Sequence, residues 1–228
     1  MSQQDVFKIA LDGPAASGKS TVGLCVAGEL GLRYFDTGLL YRALTWLALE
    51  RGIDLADEEG VRQLIDALEL APDELGRLWR GGEDLTPRLQ RPEVDAAVST
   101  VAAHPRVRSE LVPVQRSLVR SPGLVMAGRD IGTVILPDAQ LKIWLNASTE
   151  ERARRRAQQT GDDFVEVLAE MRRRDHLDAS RAVAPMARAD DAVIVETDGV
   201  PSPQVIARIV ELAQARGAQP HSHITSSA

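Results

Sequence analysis

Phe7-Lys8-Ile9-Ala10-Leu11-Asp12-Gly13-Pro14-Ala15-Ala16-Ser17-Gly18-Lys19-Ser20-Thr21 is the stretch whose reading decides the fold. Gly13 to Ser20 fit G-x-x-x-x-G-K-S/T, the spacing of a phosphate-binding loop. The apolar run Phe7–Leu11 ahead of it reads as a buried strand. Behind it, Val22, Cys25, Val26 and Leu30 recur at helical spacing, and Gly31 is a stop signal. In a strand–loop–helix setting, the backbone N–H groups of Gly13, Ala15, Ala16, Ser17, Gly18 and their neighbours turn inward, and the helix N-terminus adds its positive end. The expected ligand is ATP, held by residues Gly13 to Thr21. Lys19 is placed to reach the β- and γ-phosphates, and Ser20 to offer its hydroxyl to Mg²⁺. Asp12, beside the loop, fits either a role near the metal or an ordinary turn position.

Length and charge narrow the classes. At 228 residues with 44% apolar content, the chain reads as one α/β domain with a full core. A net charge of -6 argues against general binding to nucleic acid or anionic membranes. The single cysteine, Cys25, is expected on the apolar face of the first helix, and no internal disulfide is available. No apolar run is long enough to span a bilayer. A cytoplasmic monomer is the expectation.

Outward from the loop, Leu32–Phe35 reads as a second strand ending in Asp36-Thr37-Gly38. A helix with Leu40, Ala43, Leu44 and Leu47 inward follows, closed by Gly52. A further helix starts near Asp57, with Val61, Leu64, Ile65 and Leu68 inward. Residues 68–92, punctuated by Gly and Pro, read as a small insert with a hairpin or irregular loops. Helical spacing resumes from Pro92 to Ala103 and again from Pro105 toward Arg120, where Pro113 is expected to kink or split the helix. Leu124–Ala127, Leu141–Leu145 and Ala192–Val195 complete five strands. Ser148 to Glu151 form a capping box for a basic helix, and Ser202-Pro203 caps the last one. The core is placed at about residues 5–217, an arginine-rich lid at about 152–174, and a frayed tail at 218–228. His221-x-His223 in that tail has no supporting acid or thiol nearby.

Apolar strands alternating with helices indicate a three-layer α/β sandwich around a five-stranded parallel sheet. In such sheets ligands bind at the carboxyl ends of the strands. Three polar clusters fall there: the phosphate loop, Asp36-Thr37-Gly38 with Tyr41-Arg42 behind it, and Gly128-Arg129-Asp130. The second cluster is a further anion site, because Arg42 can fork onto a phosphate. The lid arginines Arg152, Arg155, Arg156 and Arg174 supply the charge that phosphoryl transfer requires, although each alone also fits a solvated helix face paired with glutamates. No guanine-reading Asn-Lys-x-Asp exists, since Asn146 is the only asparagine.

Five blocks together resemble the bacterial cytidylate kinases: Asp12 to Thr21; Asp36-Thr37-Gly38 with Tyr41-Arg42; Pro105-Arg106-Val107-Arg108; Gly128-Arg129-Asp130-Ile131-Gly132-Thr133-Val134; and Asp178-x-Ser180-Arg181-Ala182-Val183-Ala184-Pro185. The resemblance runs from the first strand to the last helix. It implies transfer of the γ-phosphoryl group of ATP to CMP or dCMP, with residues 68–92 as an insert on the acceptor side. It implies that Thr37, Arg42, Arg129 and Arg181 hold the acceptor phosphate, that Ser99, Arg108 and Asp130 read cytosine, and that Asp178 holds the ribose. Lys19, Arg129 and Arg181 are the implied catalytic groups. The plainer alternatives are a structural ion pair for Arg108 and Asp130, a small core residue for Ser99, and a local cap or pair for Asp178. Gln90, Leu177 and Pro113 depart from the family pattern. A kinase of another small acceptor, such as UMP or AMP, and a non-catalytic ATP-binding regulator are the alternatives.

Overall fold

In the computed structural model, which describes residues 6–219, strand β1 (Phe7–Asp12) is the middle strand of a five-stranded parallel sheet. The order is β2 (Arg33–Asp36), β6 (Gly123–Gly128), β1, β7 (Leu141–Asn146) and β8 (Val193–Glu196). Side chains alternate across each strand, so one strand feeds two cores. Ile9, Leu11, Val125 and Ala127 pack with α1 (Lys19–Leu30) and α9 (Ser202–Gln214) on one face. Ala10, Leu124 and Met126 pack with α2 (Gly38–Glu50), α5 (Pro92–Ala103) and α6 (Pro105–Ser117) on the other. This is the three-layer sandwich that the apolar strands demanded.

Register then aligns the functional ends. Asp12 pairs with Gly128, and Asp36 pairs with Ala127, so the three polar clusters leave the sheet side by side. A π-helical turn at Ile131–Ile135 follows Asp130, a feature that no sequence pattern announced. Two helices, α7 (Thr149–Thr160) and α8 (Phe164–Ala179), form a hairpin after β7. Ser148 caps α7 by accepting from the Glu151 N–H, but the box is one-sided because the Ser148 N–H goes to Asp198 instead.

Several expectations are revised. The helix starting near Asp57 is short, α3 (Glu58–Arg62); successive i to i+3 turns carry the chain to Leu68 and keep Val61, Leu64 and Leu68 buried. The insert holds a three-stranded antiparallel sheet, β3 (Ala71–Pro72), β4 (Leu78–Arg80) and β5 (Glu83–Asp84), and a short α4 (Thr86–Leu89). Leu78, Leu85 and Leu89 fasten it to the main core. Helix α6 runs through Pro113 unbroken and ends at Ser117. Ser202 makes no side-chain cap; Pro201 holds that position. His221 and His223, and the tail beyond Gln219, lie outside the described residues.

Cys25 is exposed, not on the buried face of α1. The buried stripe is Lys19, Val22, Gly23, Val26, Ala27 and Leu30. It is centred on Gly23, which a hydrophobic reading cannot see. A Cβ on Gly23 would lie 2.6 Å from the Tyr34 ring and 3.0 Å from a Leu11 methyl. That close approach offsets glycine's poor helix propensity. Gly23→Ala should therefore lower stability by about 1–3 kcal/mol, since overpacking outweighs the propensity gain. Chemical denaturation checks this; a more stable variant would show that helix and sheet have room to part.

Candidate active site

The phosphate loop begins where β1 ends. A Cβ on Gly13 would meet the Leu145 carbonyl at 2.5 Å, so only glycine lets the loop cross over β7. Lys19 is buried, and its Nζ donates to the carbonyls of Gly13 (2.9 Å) and Pro14 (2.6 Å) and to Ser17 Oγ (3.3 Å). Burial lowers the Lys19 pKa well below the usual value, and nearby Arg129 pushes the same way. An anion at the loop would restore the charge balance. Ser20 Oγ donates to Asp36 Oδ2 at 3.0 Å, joining the loop to the end of β2.

Asp12 is buried beneath the loop and accepts from the N–H groups of Ile131 (2.8 Å) and Gly132 (2.7 Å). Its role in this structure is to fix the π-helical turn behind Asp130. Burial raises its carboxyl to about 6, with the two backbone donors pulling against that rise.

The cleft in front of the loop has a volume of about 1560 Å³. A pocket for one small ligand measures roughly 300–1,000 Å³, so this cleft has room for two. Arginines from α2, α6, α7, α8 and the end of β6 reach into it, and carboxylates pair with them. Asp130 pairs with Arg108, whose side chain is 3% exposed and lies 5.3 Å from the Tyr41 ring centre. Asp178 takes Arg129 Nε at 2.9 Å and also pairs with Arg181. Burial raises the Asp178 pKa, yet Arg129 and Arg181 more than reverse this and hold it below the usual range. Asp95, on α5, binds Arg42, Arg174 (2.9 Å) and Arg156 (3.2 Å). Burial works to raise its carboxyl, but Arg174, Arg42 and Arg156 bring it down to about 2. The Nε groups of Arg108, Arg174 and Arg181 are buried without a partner. Those donors point to an acidic ligand, because a buried unpaired donor is costly.

The structure gathers most of the sequence-derived residues. Thr37, Arg42, Ser99, Arg108, Arg129, Asp130, Asp178 and Arg181 all line the cleft with Ala15 to Ser20. Thr37 Oγ1 donates to the Ala127 carbonyl at 3.0 Å, tying β2 to β6. Arg155, Arg156 and Arg174 also face the cleft; Arg155 reaches the Thr197 carbonyl at 2.5 Å. Arg152 is different. It is 3% exposed and bonds the carbonyls of Ala15 and Ala147 and the Asp175 carboxylate. It braces the phosphate loop against the α7–α8 hairpin through these bonds and does not line the cleft. Gln90 lines the cleft and its neighbour Arg91 does not, although both are exposed. Asp95 was not picked out from sequence, although it lies four residues before Ser99 and so on the same helical face.

A strand–loop–helix phosphate cradle at the centre of a parallel sheet, opening on an arginine-lined cleft, defines a phosphate-loop α/β nucleotide-binding protein. The cytidylate kinase family model matches residues 9–215. Among curated relatives, the cytidylate kinase of Mycobacterium leprae (strain Br4923) is 47% identical over 214 residues, covering 91% of this chain and 96% of that one. That of Geobacillus sp. (strain WCH70) is 45% identical over 218 residues, covering 92% and 97%. A crystal structure of an uncharacterized protein from Eubacterium ventriosum ATCC 27560 shares the fold, with a TM-score of 0.53 at 14% identity over 92% of this chain and 98% of that chain. The chain belongs to the cytidylate kinase family.

The buried Asp12 gives a pH signature. Its folded pKa of about 6 is above the ordinary 3.8, so its contribution to stability is full below pH 4 and is lost as pH rises through 6. Without nucleotide, the stability of the wild-type protein relative to Asp12→Asn should fall between pH 4 and pH 7 by on the order of 3 kcal/mol. Denaturant titrations at each pH measure the difference. A constant difference would mean that Asp12 stays ionised throughout.

Proposed function

We propose that the protein transfers the γ-phosphoryl group of ATP to CMP or dCMP, giving ADP and CDP or dCDP. The observation that carries this reading is the buried Arg108–Asp130 pair, which lines the same cleft as the phosphate loop in a chain whose curated relatives are named cytidylate kinases. Cytosine presents an exocyclic amine beside ring acceptors. Asp130 accepts from the amine, Arg108 donates to the ring, and Ser99 lies beside them. Uracil would turn a carbonyl toward Asp130, setting one acceptor against another and losing the hydrogen bond, which is how a polar site rejects the wrong base strongly.

The reaction follows from the same placement. ATP is bound by Gly13 to Thr21, with Lys19 at its β- and γ-phosphates. The CMP phosphate sits among Thr37, Arg42, Arg129 and Arg181, with Asp178 near the ribose while it orients two of those arginines. An acceptor phosphate oxygen attacks the γ-phosphorus in line, the bond to the ADP oxygen breaks, and ADP leaves. Lys19, Arg129 and Arg181 stabilise the charge spread over the transferred group. The α7–α8 hairpin acts as the lid, bringing Arg155, Arg156 and Arg174 over the phosphates and excluding water.

Mg²⁺ fits the donor set. Ser20 and Asp36 offer hard oxygen ligands beside the loop, and no cluster of three or more His, Cys, Asp or Glu able to cage a metal occurs among the described residues. That favours an ion held chiefly by nucleotide phosphates and water. When bound, it neutralises phosphate charge. No helix of the described residues is long and apolar enough to cross a membrane. A cytoplasmic monomer is the setting this reading takes.

The direct test is steady-state phosphorylation of CMP, dCMP, UMP and AMP with Mg·ATP. CMP or dCMP should be preferred; turnover of UMP or AMP without CMP would overturn the base assignment. Arg129→Ala should lower kcat by roughly 10²–10⁴-fold while ATP affinity holds, as expected for a group acting on the transition state. Equal loss of ATP affinity would count against that role. Asp130→Ala should raise the KM for CMP and narrow the preference over UMP; an unchanged preference would remove Asp130 from base reading.

A further inference from the structure

Asp95 is held by side chains from both sides of the cleft. It projects from α5 on the acceptor side and meets Arg42 from α2, Arg156 from α7 and Arg174 from α8. An acid near a helix N-terminus would ordinarily be explained by the helix dipole. Here both carboxylate oxygens are committed to guanidiniums: Arg174 Nη1 at 2.9 Å and Arg42 share one, and Arg156 Nη2 at 3.2 Å takes the other. The site remains open to the cleft, since Asp95 is 25% exposed and lines the cavity. Three guanidiniums on one carboxylate leave two surplus positive charges. That surplus matches a phosphate dianion, and the unpartnered Nε of Arg174 is a donor with no acceptor.

We propose that Asp95 is an internal counter-anion: it holds Arg42, Arg156 and Arg174 together, competes with substrate phosphates for them, and so weakens anion binding while speeding product release. This rests on the kinase reading above. The arrangement does two things that a structural ion pair would not. Its negative charge lies in the space the incoming phosphates approach, so its presence costs binding affinity. It also joins the lid hairpin to the acceptor-side helix through a bond that phosphate oxygens can replace in kind, since both are anionic oxygen acceptors of guanidinium donors. Asp95 is therefore a positioning residue that acts through the three arginines. Arg42 keeps a second anchor, the Leu89 carbonyl at 3.0 Å, when the carboxylate lets go.

Asp95→Asn removes the charge and keeps the shape. Calorimetric binding of CMP should tighten by about five-fold, the scale of a partly screened ion pair. KM and kcat should fall together, as when a ground-state penalty is removed and release slows. Asp95→Glu, which keeps the charge, should return both toward wild type. A folded Asp95→Asn protein with unchanged or weaker CMP binding, or with a raised KM, overturns the proposal and leaves Asp95 a structural brace. Inorganic phosphate is the second probe and should also bind Asp95→Asn more tightly. If wild-type protein does not bind CMP, the acceptor assignment fails, while the phosphate comparison still decides the role of Asp95. Should the variant not fold, ¹⁵N-guanidinium spectra of the wild-type protein decide. The Arg156 and Arg174 signals should change on saturation with CMP and an unreactive ATP analogue, and unchanged signals overturn the exchange of partners.

Discussion

Like charges brought into one cleft must be held against their own repulsion, and here three carboxylates do the holding. Asp130 fixes Arg108, Asp178 fixes Arg129 and Arg181, and Asp95 fixes Arg42, Arg156 and Arg174. Each of the six arginines is thereby oriented before any ligand arrives. Preorganisation of this kind matters for phosphoryl transfer, where the protein contributes positioning and charge and little covalent chemistry. The carboxylates leave donors over. The unpaired Nε groups of Arg108, Arg174 and Arg181 mark where further oxygen acceptors are wanted.

The sheet supplies the platform. With β1 in the middle and parallel neighbours on both sides, the carboxyl ends of the strands converge on one edge. Register sets Asp12 beside Gly128 and Asp36 beside Ala127. Asp12 then reaches under the loop to the Ile131 and Gly132 N–H groups, so the donor cradle and the base-reading end of β6 share one buried carboxylate. Arg152 makes the corresponding tie to the hairpin, from Ala15 to Asp175. The phosphate loop is thus braced from both sides by side chains that do not face the cleft.

What the sequence made legible was whatever has a short spacing and a fixed backbone requirement. Gly13 to Thr21 specified loop, strand and helix, and the Gly128-Arg129-Asp130 block marked a second strand end. Relations between distant segments were not legible in the same way. Gly23 hid the true centre of the buried face of α1 because it lacks a side chain, and so Cys25 was misplaced. The turns after Arg62 kept their apolar residues buried without helical bonds, so periodicity alone overran the helix. Arg152 looks like its lid neighbours in composition, and only its bonds to Ala15 and Asp175 set it apart. Asp95 stood among ordinary helix residues, since the arginines that give it meaning come from positions 42, 156 and 174.

The most direct measurement is a crystal structure of the protein with CMP bound. This account places the cytosine amine within hydrogen-bond distance of Asp130, the ring near Arg108, and the phosphate among Arg42, Arg129 and Arg181. A CMP whose base lies away from Asp130, or whose phosphate occupies the Gly13 to Ser20 loop, would contradict it.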